Sequence, residues 1–421
     1  MNLFEDLKAR GLIEALTDPE IEKTLEKPIT LYCGFDPSAR SLQAGNLVSI
    51  MVLKRFQQAG HRVIALVGGA TGLIGDPSGK SAERNMLTVE QVEENKKGIR
   101  ENLARVLDFD GPNAAIMADN YDWYKNTSAI AFLRDIAINF RVPQMLAKES
   151  VKKRLEASEG ALTFTEFSYQ ILQGNDFLHL FDTYGCQLEI GGADQWGNIT
   201  AGTDLVRRMR GKSAYGLTFP LLLDSAGRKF GKSEGNALFL DESLTSVYDW
   251  YQYFLRSADA DVIRYLKVFS MRPLEEIAAL EAEMKAHPEA RIPQKALAEE
   301  LTRLIHGEAG LKKAQDATQT LFGGSQAGKS AAELETIFKD VKSATVKRAE
   351  SVGRTVWSVA AAAGMFKSNG EARRMTQQGG LSLNGAKVDD KRLLAESDLV
   401  EGRLAVLKQG KKNNFLLRVE G

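Results

Sequence analysis

KFGKSEGN, residues 229 to 236, sets Lys229 and Lys232 around a glycine. Such a pair can close over a triphosphate and offset charge on departing pyrophosphate without any proton transfer; a short solvated turn would read the same way. VGGATGLIGDPSGKSAER, residues 67 to 84, ends a strand in glycines and continues to Asp76, Lys80 and Arg84. Backbone can approach a ligand closely at glycine, and the cations can meet phosphate. The P-loop pattern GxxxxGK[ST] is absent, and on local grounds alone such a loop is more often a turn than a site. EFSYQILQGND, residues 166 to 176, spaces Tyr169, Gln173 and Asp176 at i, i+4 and i+7, hence on one helical face. They could line a pocket or serve as partly buried packing. GGADQWGN, residues 191 to 198, follows a strand pattern and opens a helix. Backbone donors and Asp194 there could meet a ribose hydroxyl or an anion, although an N-cap role for Asp194 competes.

Elements that would position these groups follow from the hydrophobic pattern. Between residues 29 and 223, short apolar runs (ITLYCGF, RVIALVGG, AAIMAD, QLEIGG) alternate with amphipathic helical stretches, the signature of an α/β domain with a mostly parallel sheet. Several runs end in glycine or aspartate, at the carboxyl ends where open α/β sheets bind ligands. After KFGKS the pattern turns helical through SLTSVYDWYQYFLR, ADVIRYLKVF, PLEEIAALEAEMK and KALAEELTRLIHG, with no strand candidate. FGGSQAGKSAAE and the weakly patterned stretch to about 350 read as a linker. Residues 351 to 421 then combine a helix bearing paired arginines with a strand-turn-strand around Asn384-Gly385.

Composition bounds the possibilities. A chain of 421 residues with 43% hydrophobic and 26% charged residues needs more than one core and is globular throughout. Net charge is zero, yet from Ser351 onward 12 Lys/Arg face 7 Asp/Glu, a local excess of +5. Two cysteines, Cys33 and Cys186, are too few for a disulfide framework and form no zinc spacing, which fits a reducing cytoplasm. The N-terminus shows no signal-peptide core and no run has membrane-spanning length. His61, His179, His287 and His306 lie outside every motif, which argues against histidine-based acid–base or metal chemistry.

Taken in order, YCGFDPSARSL, LVGGATGLIGDPSGK, TEFSYQILQGND, IGGADQWGNIT and KFGKS closely resemble the bacterial tyrosyl-tRNA synthetases, a class I aminoacyl-tRNA synthetase family, and the resemblance runs from the first helix to the tail. It implies a Rossmann-like catalytic domain over 1–223, a mobile KFGKS loop over 224–240, a helical tRNA-contacting domain over 241–320, a linker over 321–350 and a small S4-like α+β RNA-binding domain over 351–421. The activity it implies is two-step: L-tyrosine attacks ATP to give tyrosyl-adenylate, and the tyrosyl group then passes to the 3′ end of tRNA(Tyr). It also implies a cytoplasmic homodimer, with Mg²⁺ arriving on ATP and no dedicated metal cage.

Residue roles carry over the same way. Tyr32 and Asp176 would read the substrate phenol, Asp76, Tyr169 and Gln173 its ammonium group, and Gln195 its carboxyl group. Cys33, Gly34, Asp36, Gly45, Ser49, Gly192 and Asp194 would line the nucleotide side, with Lys80, Arg84, Lys229 and Lys232 on the phosphates. Arg373, Arg374, Lys411 and Lys412 would meet tRNA. The family's histidine signature falls on Gln43 and Asn46, which would be the catalytic donors here together with Lys229 and Lys232. An amide N–H of Gln extends about as far as the distal ring nitrogen of His, and that of Asn about as far as the proximal one, so donors are retained. Asn175 stands where the family commonly has an aromatic residue, and Arg40 where an acidic one is frequent. The different-class alternative is a paralogue that binds RNA or tyrosine without charging tRNA. Retention of Lys229, Lys232, Tyr32, Asp176, Asp194 and Gln195 argues against it.

Overall fold

Runs of apolar, β-branched residues that must be covered on both faces build the first sheet: β1 (Ala15–Leu16), β2 (Thr30–Phe35), β3 (Arg62–Val67), β4 (Ile116–Asp119), β5 (Cys186–Gly192) and β6 (Tyr215–Phe219), in the order β1-β6-β5-β2-β3-β4. The structure is a computed structural model that describes residues 1–78, 86–156, 162–233, 236–322, 329–339, 341–410 and 413–421, with backbone alone for 153, 232, 233, 236, 321 and 322. β2 through β6 are parallel to their neighbours, whereas β1 is antiparallel to β6 at the edge. Numbered among the parallel strands alone, the order is that of a Rossmann fold, and its switch point lies between β2 and β5. All four strand segments expected from the sequence are present. β1 and β6 were not anticipated, because a two-residue strand has no period and YGLTF directly follows a long helix.

The chain forms two compact units, residues 1–245 with 252–305, and residues 246–251 with 306–421. The expected helical domain at 241–320 is therefore divided. The helices up to 305 share the core of the Rossmann sheet for identifiable reasons. Arg10 donates to the carbonyls of Lys267, Ser270 and Arg272, and Arg55 to those of Lys267, Val268 and Ser270. Two guanidinium groups thus satisfy the orphan carbonyls at the end of helix Asp259–Phe269. Phe230 packs its ring against Tyr253, Phe254, Tyr265 and Phe269 at centroid distances of 4.9 to 6.1 Å. Periodicity reports that a segment is helical; it does not report which core the helix joins.

The second unit holds a five-stranded sheet in which Leu381–Leu383, Leu404–Gln409 and Asn413–Glu420 are antiparallel and Ser343–Lys347 pairs parallel with Asn413–Glu420. This corrects the expected linker at 321–350: helix Ala331–Ile337 and strand Ser343–Lys347 are integral parts of the unit, and the Gly-rich stretch 323–328 lies outside the described residues. Side-chain alternation along Leu404–Gln409 serves two cores. Ala405 and Leu407 face a cluster with Val356, Val359, Leu381 and Leu417, while Leu404 and Val406 face Tyr248, Ala317, Leu334, Ile337 and Phe338. The expected hairpin is present, with Asn384 (φ 48°) and Gly385 (φ 86°) both in the left-handed region that a type I′ turn requires.

Candidate active site

Ends of β2, β3 and β5 and the start of helix Phe164–Tyr184 converge at the switch point, and the sequence motifs arrive there together. Helix Phe164–Tyr184 begins with a capping box between Thr163 and Glu166 and ends at left-handed Gly185. Its inward face carries Tyr169, Gln173 and Asp176, as the spacing requires, with Tyr169 and Asp176 buried.

Asp176 is 2% exposed and accepts from Asn120 Nδ2 at 3.0 Å and Trp123 Nε1 at 2.9 Å. Burial pushes its pKa up to about 7, against the hydrogen bonds of Asn120, Trp123 and Tyr124 that favour the ionised form. Tyr32 lies on the neighbouring strand with its ring edge-on to Phe177 at 5.3 Å. Its hydroxyl is buried without a hydrogen-bond partner, and burial followed by the Glu189 and Asp176 charges raises its pKa. A buried phenol oxygen without a partner thus stands close to a buried carboxyl group.

Around the rim, hydrogen bonds fix which atoms remain as acceptors. Tyr169 Oη donates to Asp36 Oδ2 at 2.8 Å, so its oxygen lone pairs face away from that bond. Gln173 Nε2 donates to Glu189 Oε1 at 2.9 Å and Gln195 Oε1 at 3.2 Å, leaving the Gln173 carbonyl oxygen as an acceptor. Asp76 accepts from Gln195 Nε2 at 2.7 Å and from the Ser78 backbone at 2.9 Å, and Asn198 reaches both Asp76 and Gln195. Asp36 was expected on the nucleotide side. Its two oxygens are engaged by Thr71 at 2.7 Å and Tyr169 at 2.8 Å, so what it visibly does is orient Tyr169.

On the other side of β2, Cys33 is a buried thiol pushed up to about 12 by burial, with Ser49 and the Gly34 carbonyl beside it, and Gly34 is exposed. Asp194 is not an N-cap: Gln195 caps helix Trp196–Arg210, and Asp194 sits in the preceding turn after Gly192. Burial and the Asp76 charge raise the Asp194 pKa, and the nearby Lys229 lowers it. This brings Lys229 of KFGKS to the same rim as Asp194.

Gln43 precedes the turn Ala44–Asn46, which runs directly into helix Leu47–Gln58, so the segment stands at the positive end of a helix. Asn46 Oδ1 accepts from the Gln43 backbone N–H at 3.0 Å, which turns the Asn46 amide N–H groups outward as donors. The KFGKS loop abuts this turn. Gly231 (φ 81°) lies so close that a Cβ there would stand 3.1 Å from Gly45 N and 3.2 Å from Ala44 Cβ, and Ala44 N donates to Leu238 O at 2.8 Å. Lys80, Arg84, Lys411 and Lys412 lie outside the described residues, and Lys232 is described by backbone alone. Arg373 and Arg374 are exposed on helix Asn369–Gln377 of the second unit.

Both departures from the resemblance have contacts. Asn175 Nδ2 donates to Tyr124 Oη at 3.1 Å, and Tyr124 donates to Leu172 O at 2.8 Å, so the amide pins a ring beside Asp176. Arg40 donates to Ser243 Oγ at 2.9 Å, and its carbonyl crowds the α-carbon of Gly98. Sequence reasoning missed Thr71, Asn120, Trp123, Glu189 and Asn198. The one local signal was ADN at the carboxyl end of β4, the position from which Asn120 reaches Asp176.

Comparison with known proteins agrees with this geometry. Residues 23–323 match the family described as tRNA synthetases class I (W and Y), and residues 333–417 match the tyrosine–tRNA ligase SYY-like C-terminal domain. The chain is 48% identical to the tyrosine–tRNA ligase of Protochlamydia amoebophila over 99% of both chains, and 48% identical to that of Bacillus caldotenax over 99% of this chain and all of the other. A C-terminally truncated mitochondrial tyrosyl-tRNA synthetase of Aspergillus nidulans superposes with a TM-score of 0.68 at 30% identity, covering 76% of this chain and 94% of that one. The chain belongs to the tyrosine–tRNA ligases, enzymes of the class I aminoacyl-tRNA synthetase family.

Proposed function

We propose that the chain activates L-tyrosine with ATP in the pocket at the switch point and passes it to tRNA(Tyr), and that the residues above carry this chemistry. The observation that supports tyrosine is the buried polar pair Tyr32 Oη and Asp176, the first without a hydrogen-bond partner. The Asp176 carboxylate accepts the phenol hydroxyl while Tyr32 donates to the same oxygen. At the rim, the Tyr169 oxygen, the Gln173 carbonyl and Asp76 are three acceptors for one ammonium group. Gln195 Nε2 spends one hydrogen on Asp76 and has a second for the substrate carboxylate.

In the first step a tyrosine carboxylate oxygen bonds to the α-phosphorus as the bond from that phosphorus to the bridging oxygen of the β-phosphate breaks in line, and pyrophosphate leaves. Gln43, Asn46, Lys229 and Lys232 offset the charge developing on the phosphates, and no side chain has to take a proton. Asp194 and the backbone at Gly192 serve the ribose side. Among the described residues no cluster of His, Cys, Asp or Glu is arranged as a metal site. Mg²⁺ would arrive on the nucleotide substrate, where it would neutralise phosphate charge. In the second step a hydroxyl of the terminal adenosine attacks the tyrosyl carbonyl and AMP departs.

The segment supporting a homodimer carries exposed Ile130, Leu133, Ile138, Val142, Leu146 and Phe164, the last 75% exposed, more large apolar side chains than a surface element needs unless it is covered. The double variant Ile130→Glu, Leu133→Glu is expected to sediment near the 46.3 kDa chain mass, with the unaltered protein near twice that. Equal masses for the two would remove this surface from the interface. Two free, buried cysteines fit a cytoplasmic location, and among the described residues no helix is long and apolar enough to cross a membrane.

Tyrosine-dependent ATP–pyrophosphate exchange tests the activity, and ending the chain at residue 322 tests the division of labour. That truncation removes every strand and the exposed arginines of the second unit and keeps its residues 246–251 and 306–322, whereas a cut at 351 would strand Ser343–Lys347 without its partner. Exchange is expected within about threefold of the full chain, and tRNA charging at low tRNA is expected to fall at least tenfold, since each lost cation–phosphate contact weakens binding. A folded truncation without exchange would show that the second unit takes part in activation.

A further inference from the structure

Glu189 is a buried carboxyl that none of the roles above uses. It lies on β5 directly across from Tyr32 on β2, the two Cα atoms being register partners, and it is 2% exposed. Its Oε1 accepts from Gln173 Nε2 at 2.9 Å. Its Oε2 and Tyr32 Oη are both buried with no well-formed hydrogen bond, yet the two groups are in contact: between the two alone, the Tyr32 hydroxyl lowers the Glu189 pKa, and the Glu189 carboxyl raises that of Tyr32. Helix Trp196–Arg210 closes the site from above with Gly202, where a Cβ would stand 2.9 Å from the Phe177 ring and 3.2 Å from Glu189 Oε2. Any side chain there would crowd the Phe177 ring and the carboxyl.

We infer that Glu189 is a positioning residue of the tyrosine pocket, acting as a neutral hydrogen-bond donor from Oε2 to Tyr32 Oη; the inference rests on the assignment of Tyr32 and Asp176 to the substrate phenol. While Glu189 donates to its oxygen, the Tyr32 hydroxyl does not give its own hydrogen to Glu189 and keeps it for the substrate. Asp176 takes the substrate's hydrogen in turn. The resulting chain runs one way, from Glu189 through Tyr32 and the substrate oxygen to Asp176, and it has no place for a ring without a hydroxyl. An ionised Glu189 would instead accept from Tyr32 and withdraw that hydrogen from the substrate.

The titratable groups that face Glu189 bring no positive charge to hold it ionised: they are Tyr32 and Cys33 from β2, Asp176 from helix Phe164–Tyr184 and Cys186 from its own strand. Burial raises its pKa to about 8, with the Asp176 charge adding to the effect and the contacts of Gln173 and Tyr32 opposing it. Burial raises the Asp176 pKa as well, to about 7.

The test is the KM for tyrosine in pyrophosphate exchange between pH 6.5 and 9, on the full chain, Glu189→Gln and Glu189→Leu, with phenylalanine as second substrate and Asp176→Ala alongside. In the unaltered enzyme the KM for tyrosine should rise toward tenfold per pH unit above about pH 8, where the neutral donor is lost. Glu189→Gln, a donor that does not titrate, should hold KM within about threefold at pH 7 and abolish the rise. Glu189→Leu should raise the tyrosine KM about tenfold or more at every pH with kcat little changed, the scale of one hydrogen bond to an oriented partner, and should leave phenylalanine kinetics almost untouched. An alkaline rise that persists in Glu189→Gln, or wild-type discrimination in Glu189→Leu, overturns the inference while Asp176→Ala still lowers discrimination. If Asp176→Ala has no effect either, the pocket assignment itself fails and this inference fails with it.

Discussion

Replacing Asp176 with alanine is expected to lower the ratio of kcat/KM for tyrosine over phenylalanine by at least about 10². A buried site built around a hydroxyl pays for an absent hydroxyl with unpaired polar groups of its own. Here those groups are the carboxylate of Asp176 and the hydroxyl of Tyr32. Tyrosyl-tRNA synthetases are themselves the standing example of such discrimination, about 10⁵, so that figure is the family's and not a result of this geometry. Removing one of two floor groups should remove roughly half of it on a logarithmic scale. The substitution also leaves Trp123 Nε1 without its acceptor, at a cost of about 1–3 kcal/mol of stability, while Asn120 Nδ2 keeps its bond to Thr71 Oγ1. The ratio of the two substrates is insensitive to that cost, because the same folded fraction of enzyme acts on both. Unchanged discrimination in a folded variant would take Asp176 out of the site.

The contrast between what the sequence showed and what it hid follows from how far each signal reaches. Tyr169, Gln173 and Asp176 were legible because one helix sets their spacing, and Gly192 and Asp194 because a strand end and a helix start bracket them. The partners that define their chemistry come from elsewhere in the chain. Asn120 lies 56 residues from Asp176, and Asp36 lies 133 residues from Tyr169. No periodicity carries such a pairing, which exists only once the parallel strands are in register. Glu189 shows the limit most clearly. In sequence it is an acidic residue in a strand with an otherwise apolar pattern, and a surface charge is the ordinary reading; only burial beside Tyr32 gives it a role. The domain boundaries failed for a related reason. Helix Asp259–Phe269 is visible from its pattern, whereas Arg10 and Arg55, which tie its end to the first unit, are more than 200 residues away.

The segment QAGN provides the other large effect: Gln43→Ala should slow tyrosyl-adenylate formation by about 10²- to 10³-fold, the scale of one lost transition-state donor. The geometry favours donation over structural filling. The backbone at Gln43 is held by Asn46 Oδ1 and by a bridge to Phe239, so its side chain projects from a fixed base that is only partly buried. Asn46 is exposed and its carbonyl oxygen is already committed, which leaves its two amide hydrogens for an anion at the start of helix Leu47–Gln58. Close approach of Gly231 to Gly45 puts KFGKS against the same turn, so amide and lysine donors would surround one set of phosphate oxygens. Amides do not titrate, and kcat between about pH 5.5 and 7.5 should therefore show no inflection from these positions. Measuring kcat at saturating tyrosine keeps ionisations of the empty pocket out of the profile. The double variant Gln43→His, Asn46→His should keep activity and acquire an inflection in that window, since imidazoles placed on the same fixed base would titrate there. Alanine variants at both positions that each left the activation rate untouched would show that these amides do not donate, and catalysis would then rest on the lysines and the helix end alone.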